Sequence, residues 1–135
     1  MEKTPLEIVN EMIASAEAYI TELAEAAQRL ENVLLKDNFI IVNASGFAIN
    51  FDLVPSREHP GMSIAENPRV TQPHLAVRFP EGSAHTLARN VFDGNNVAAH
   101  AVPVVQAVAM AHEQHKYHLA RLLEARDKIM AGGAH

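Results

Sequence analysis

Residues 9–34 read VNEMIASAEAYITELAEAAQRLENVL. Apolar residues recur in this stretch at alternating steps of four and three, the spacing that lines one side of a helix. Thr4-Pro5-Leu6-Glu7 comes before it and forms a capping box with proline at the first helical position. We therefore predict a helix over about residues 5–37. Its apolar positions are Val9, Ile13, Ala16, Ile20, Leu23, Ala27, Leu30 and Leu34.

The predicted length of this helix is large for a chain of 135 residues. A helix over residues 5–37 would be ~50 Å long at the usual rise per residue. A compact globule of this chain length is only about 37 Å across. The helix would therefore have to project, pair with another long helix or join an oligomer.

A second long helix is predicted near the end of the chain, over about residues 101–131. Pro103 fits its first turn and Gly132-Gly133 ends it. Its apolar side again steps by four and three and is interrupted by polar residues. We expect the two helices to pair antiparallel, within one chain or between two. The residues expected to form the oligomer seam are Val9, Ile13, Ile20, Leu23, Leu30, Leu34, Val105, Val108, Leu119 and Leu122.

The intervening region, about residues 38–100, changes to the period of a β-strand. Residues 39–42 form an apolar run, residues 47–53 alternate between apolar and polar, and Ser45-Gly46 between them reads as a hairpin turn. Residues 75–79 alternate in the same way and predict a third strand. The stretch 55–73 contains four prolines and reads as a long loop, with a short edge strand near residues 62–65.

Residues 83–93 predict a short helix that Ser83 caps and Gly94 ends. A fourth strand over residues 87–92 is the alternative. The sequence as a whole predicts a single α+β domain over residues 1–135. Two long amphipathic helices, at the N- and C-terminal ends, flank a small antiparallel β-sheet with a proline-rich loop.

Composition and charge narrow the function classes. Hydrophobic residues make up 48% and charged residues 20% of the chain, the net charge is −5, and there is no cysteine. An acidic chain without clustered Lys or Arg does not favour nucleic-acid binding. No run of apolar residues is long enough for a membrane span. The N-terminus has no basic start or unbroken apolar run, so a cytoplasmic location is expected.

Three histidines on the second helix are candidate metal ligands. His112, His115 and His118 follow one another at three-residue steps, so they share one flank of the helix. Neutral imidazoles at this spacing can share a metal ion. However, the spacing is one residue short of the zinc-protease motif. The alternative is that these histidines interrupt the apolar interface and make it sensitive to pH.

The middle region contains four arginines and no lysine, a usage that hints at an anion site. Arg78 is followed by Phe79, which together could offer a charge and a ring to a nucleotide-like ligand. Asn95 lies in a turn, residues 93–96, that could add a backbone anion nest. The alternative is that these arginines balance nearby acids in solvated ion pairs. The candidate ligand-binding residues are Arg57, Arg69, Arg78, Phe79, Arg89 and Asn95.

No motif specifies a reaction, a catalytic residue or a cofactor. The sequence therefore favours a non-enzymatic, self-assembling interaction protein that forms a dimer or higher homo-oligomer through its helices. Its sheet and proline-rich loop would be presented to a protein partner. The alternatives are an oligomeric binder of a small anionic, nucleotide-like ligand and, third, a histidine-based metal-binding protein.

Overall fold

The computed structural model of the chain describes residues 2–58, 60–61, 63–92 and 98–133. These residues form three α-helices and two antiparallel sheets of two strands each, so the predicted α+β class with long N- and C-terminal helices is confirmed. The elements are α1 Pro5–Arg29, β1 Phe39–Asn43, β2 Ile49–Pro55, β3 Ser63–Val70, α2 Glu81–Thr86, a π-helix Leu87–Phe92, β4 Ala99–Pro103 and α3 Val104–Gly133. Short 3₁₀ turns lie at Leu35–Asp37 and Pro73–Leu75.

The chain divides into two compact units. The helical unit comprises Met1–Arg29 and Ala109–His135, and the sheet unit comprises Leu30–Val108. Both ends of the chain contribute to the helical unit, so the division does not follow a single boundary along the sequence.

In the helical unit, α1 packs antiparallel against α3. Val9, Ile13 and Ala16 form a buried cluster with Leu122. Tyr19, further along α1, contacts His115, which lies earlier on α3. Later residues of α1 thus contact earlier residues of α3, so the two helices run antiparallel. The predicted antiparallel pairing occurs within one chain. The partly buried residues around the cluster are Leu6, Leu119, Leu123, Ala125 and Ile129.

The first helix begins where the capping box predicts, but it is shorter than expected. The Thr4 hydroxyl accepts a hydrogen bond of 3.1 Å from the backbone N–H of Glu7. The helix ends at Arg29 and not near Asp37, since Asn32 and Val33 are weak helix formers and residues 30–33 turn instead. Leu34 lies in extended backbone with 63% of its surface exposed, so it does not belong to a helical seam.

This correction weakens the length argument for α1. At 25 residues α1 is ~37 Å long, and α3 at 30 residues is ~45 Å long. Only α3 exceeds the expected diameter of a compact chain of this size.

The other predicted seam positions differ in burial. Val9, Ile13, Leu23, Leu30, Val108 and Leu122 are buried, Ile20 and Leu119 are half-buried, and Val105 is 38% exposed because Val104 takes the buried position.

In the sheet unit, β1 pairs with β4, and β2 pairs with β3 in a separate sheet. Ser45-Gly46 lies in a turn as predicted, but the described segments on either side of it join through the Val42–Ala48 bridge and not through a hairpin ladder. Ile41 lies opposite Ala101, and Phe39 lies opposite Pro103. Residues 101–103 were predicted to begin the second helix. They form a strand because pairing with β1 satisfies their backbone groups, and α3 therefore begins at Val104. The core around this sheet contains Phe39, Ile41, Phe51, Ala84, Ala88 and Ala99.

Residues 75–79 do not form the strand that their alternating pattern predicts. Asn50 explains the difference, because its side-chain Oδ1 accepts a hydrogen bond of 2.9 Å from the backbone N–H of Val77. Only Phe79 makes a strand-like contact, exchanging backbone hydrogen bonds of 2.8 and 2.9 Å with Phe39. The Asn50 side chain thus supplies a hydrogen bond that the backbone of a neighbouring strand would otherwise supply to this segment.

The predicted long loop contains a full strand, β3, which pairs with β2 from Ile49 opposite Val70 to Pro55 opposite Ser63. Its Pro68 is tolerated because it lies where the register shifts, between the pairs Asn50–Arg69 and Asp52–Glu66, in a strand that pairs on one side only among the described residues. Residues 83–93 were predicted as one short helix. The structure has α2 followed by the π-helix, and residue 93 lies outside the described residues. Within the described chain, no helix has the length and hydropathy that crossing a bilayer requires.

The packing of α1 on α3 yields a stability prediction. Ile13 is 4% exposed, so Ile13→Asp places an uncompensated carboxylate between the two helices. We expect the free energy of unfolding to fall by about 3 kcal/mol or more. Ala14→Asp, one residue along on the exposed side of α1, is the matched control and should change it by less than about 1 kcal/mol. Urea unfolding followed by circular dichroism measures both, and equal losses would contradict the assigned packing.

Candidate functional site

A second stripe of side chains lies beside the packed stripe of α1. Ile8, Met12, Ser15 and Tyr19 recur at steps of four, three and four, so they share one side of the helix. Ile8 and Met12 keep 46% and 44% of their surface exposed, although large apolar side chains are usually covered on a helix that packs against another. The first helix therefore has more apolar surface than its pairing with α3 buries.

This stripe forms one wall of an open groove with a volume of about 510 Å³. His115 and His118 of α3 form the opposite wall. The Tyr19 and His115 rings meet edge to face, with centroids 4.3 Å apart and an interplanar angle of 81°. His118 follows at 5.9 Å from His115. The full lining is Ile8, Glu11, Met12, Ser15, Ala16, Tyr19, His115 and His118, and we call this surface the helical groove.

The helical groove shifts the proton affinity of both rings that meet in it. Partial burial lowers the pKa of His115 below its ordinary value of 6.5, and the neighbouring His118 lowers it further, against a smaller opposing effect of the Ala111 backbone. Burial also raises the pKa of Tyr19, with a smaller contribution from Glu22. Both side chains are therefore favoured in their neutral forms, which suits contact with an apolar partner surface.

Glu11 adds a negative charge at the edge of the helical groove. Its carboxylate accepts hydrogen bonds of 2.7 and 2.8 Å from the Lys3 ammonium group. This ion pair holds the residues before α1 against the first turns of the helix. Both partners are more than half exposed, so the pair contributes little to stability.

The metal hypothesis is left with two adjacent ligands. His115 and His118 lie side by side in the helical groove, whereas His112 does not line it. Across the described residues, no three His, Asp or Glu side chains are grouped closely enough to hold a metal ion. A metal site at these histidines would need a further ligand from elsewhere, and it stays a prediction.

The candidate arginines of the middle region are not brought together. Arg69 lies on β3 and forms an ion pair with Asp52 of β2 at 3.5 Å. Asn67 donates a hydrogen bond of 3.0 Å to the same carboxylate. The Asn67 hydrogen bond, and to a lesser degree the Arg69 charge, lowers the pKa of Asp52. Arg69 is therefore already paired within its own hairpin.

Arg78 and Phe79, predicted to offer a charge and a ring, have different neighbours in the structure. Arg78 donates a hydrogen bond of 3.3 Å to the Asn38 side chain. The Phe79 ring instead stacks on Phe51, with centroids 5.9 Å apart and an interplanar angle of 15°, and packs against the sheet core. The Phe79 ring thus contributes to the packing of the sheet unit, and a ligand site at Arg78 and Phe79 stays a prediction.

The remaining candidates are dispersed. Arg57 is exposed between β2 and β3, and Asn95 lies outside the described residues. Arg89, on the π-helix, lines a cleft of about 320 Å³ together with His85 and His100. The sequence reasoning missed His100 altogether, because a histidine in a strand carries no signal without knowledge of the strand's neighbours.

The helical groove was also missed, although its signal was present. The stripe at residues 8, 12, 15 and 19 has the same helical spacing as the packed stripe but begins one residue earlier. The more strongly apolar heptad pattern of the packed stripe masked this second stripe.

No family model, curated protein sequence or solved structure matches this chain. Function must therefore be inferred from the geometry of the helical groove, of the cleft at Arg89 and of the surfaces around them.

The lowered pKa of His115 predicts how stability depends on pH. The unfolded chain binds more protons at this residue than the folded chain does, so its contribution to stability is complete above about pH 6.5. The contribution is lost as the pH falls below that value through the folded-state pKa. Urea midpoints between pH 7.5 and pH 5 should fall less steeply in His115→Gln than in the wild type, with Gln114→Asn as the control. Identical slopes would contradict the assigned environment of His115.

Proposed function

We propose that this protein is a non-enzymatic interaction protein that assembles with a second copy of itself through the helical groove. The observation that carries the proposal is the exposed apolar stripe of Ile8 and Met12 beside the packed face of α1. A third or fourth helix covers such a stripe in helical bundles, and a second copy of the helical unit supplies two.

The size of the helical unit supports this occupant. Two paired helices ~37 Å long and each ~10 Å wide present a face of roughly 700 Å². A standard stable interface buries about 800 Å² on each partner. One copy of the helical unit therefore matches the area that a dimer needs, with the helical groove at its centre.

The charges of the two helices favour the same occupant. Residues 2–29 carry six glutamates against Lys3 and Arg29. Residues 109–133 carry four basic and three acidic residues, together with His112, His115 and His118. In a two-fold symmetric dimer, α1 of one copy can lie over α3 of the other, so that acidic and basic flanks meet twice. Pairing α1 with α1 would instead bring like charges together.

The sheet unit supplies the surface for a protein partner in this proposal. Among the described residues, β2 and β3 form a two-stranded sheet of their own, and this hairpin exposes large apolar side chains. Leu53, Ile64 and Val70 are 45%, 39% and 63% exposed. An exposed edge with apolar side chains suits the addition of an extended peptide as a further strand. The cytoplasmic location expected from the sequence remains part of the same proposal.

The small-ligand alternative keeps less support than self-assembly. Its arginines are dispersed, and Arg69 and Arg78 already have partners within the chain. Among the described candidates, Arg89 lines a cleft together with His85 and His100.

Self-assembly is tested by placing a charge in the helical groove. Met12→Lys should leave the helix content unchanged, because Met12 is half-exposed, and should block the dimer by desolvating an ammonium group in its interface. Size-exclusion chromatography with light scattering should give twice 14.8 kDa for the wild type and 14.8 kDa for Met12→Lys.

Ala14→Lys is the control for this experiment, since Ala14 lies on the exposed side of α1 away from the helical groove. It should retain the dimeric mass. A wild-type particle of 14.8 kDa at micromolar concentration contradicts the proposal, and so does a dimer that Met12→Lys leaves intact.

A further inference from the structure

A second cleft, in the sheet unit, is lined by basic and small side chains. It has a volume of about 320 Å³ and includes one arginine and two histidines. Its lining is His85, Ala88, Arg89, Ala98, Ala99, His100 and Ala101, which we call the basic cleft. No carboxylate belongs to this described lining. The basic cleft thus gathers basic hydrogen-bond donors from three elements, namely α2, the π-helix and β4.

The fold holds these elements in place through buried alanines. Ala84 and Ala88 are buried in the sheet core and fix α2 and the π-helix against the sheet. His85, which follows Ala84, lies with its ring centroid 5.7 Å from that of Phe39. His100 lies on β4, where it pairs with Val42 of β1. The three donor side chains are therefore carried by packed elements.

The π-helix that carries Arg89 is a second indication of a site. This helix type is rare, and single turns of it occur frequently at functional sites because they realign side chains at a cost in stability. Here the turn places Arg89 in the same cleft as His85, which lies on the preceding α-helix.

We propose that the basic cleft binds a small phosphate monoester. A phosphate group offers three terminal oxygens and close to two negative charges, so it can accept from all three side chains at once. The arginine fork and an imidazole N–H are suitable donors, and imidazole donates even when neutral. A carboxylate carries one negative charge instead of nearly two, so the same donors would hold it less strongly.

The remaining surface of the basic cleft fits the body of such a ligand. Four alanines provide a smooth apolar wall, and the volume lies near the lower end of the ~300–1,000 Å³ range of small-molecule sites. The ligand is therefore small, with a compact apolar group beside its phosphate. This site lies wholly within the sheet unit and does not depend on self-assembly through the helical groove.

Calorimetric titration at constant ionic strength tests the proposal with three probes. Phenyl phosphate should bind saturably and more tightly than inorganic phosphate, because its ring covers the alanine wall. Benzoate carries the same ring on a carboxylate and should bind more weakly than phenyl phosphate. Arg89→Gln should weaken the binding of phenyl phosphate about tenfold or more, since a charged hydrogen-bond donor is lost.

Arg57→Gln is the matched control, because Arg57 is exposed and does not line the basic cleft. It should bind phenyl phosphate as the wild type does. If Arg89→Gln proves unfolded by circular dichroism, His100→Gln, at an exposed position, decides the question by the same loss of affinity. Absence of saturable binding, unchanged affinity in the folded cleft variant, or benzoate binding as tightly as phenyl phosphate would each overturn the proposal.

Discussion

The apolar contact between α1 and α3 is the constraint on which the helical unit depends. A lone amphipathic helix is marginal in water, and α1 gains its stability by burying one stripe against a second helix. The cluster of Val9, Ile13, Ala16 and Leu122 meets this need within one chain. Because small residues such as Ala16 occupy part of the contact, the pairing covers only a narrow stripe. The neighbouring Ile8 and Met12 are left partly exposed, and the proposed assembly follows from that remainder.

The sheet unit meets the same requirement by a different route. With few aromatic residues in the chain, its core combines Phe39 and Phe51 with buried alanines of α2 and β4. Alanine permits close approach of a helix to a strand. It also leaves space at the edge of the contact, where Ala88, Ala99 and Ala101 line the basic cleft. The same small side chains that allow the packing therefore shape the proposed phosphate site.

Local patterns in the sequence predicted those elements that depend on interactions between residues close together in the chain. The capping box at Thr4 and the helical spacing after it placed the start of α1, and the strand pattern placed β1 and β2. The errors arose where a distant partner decides the outcome. Residues 101–103 became a strand because β1 is available to pair with them. Residues 75–79 did not, because the Asn50 side chain satisfies the backbone of Val77.

The candidate sites show the same difference between features set by local spacing and features set by distant contacts. The number of arginines in the middle region does not indicate where each one lies in the fold. Arg69 and Arg78 have separate partners. The histidines His115 and His118 were found because their helical spacing is local. Their neighbour Tyr19 was missed, since its contact with His115 joins two segments almost a hundred residues apart.

The claim that a second copy covers the helical groove is tested most directly by intermolecular nuclear Overhauser effects. A sample mixed from isotopically labelled and unlabelled chains reports only contacts between copies. A dimer formed through the helical groove should give filtered effects from the Met12 methyl group to residues of α3 in the other copy. Filtered effects absent at Met12, in a sample whose mass is that of one chain, would contradict it.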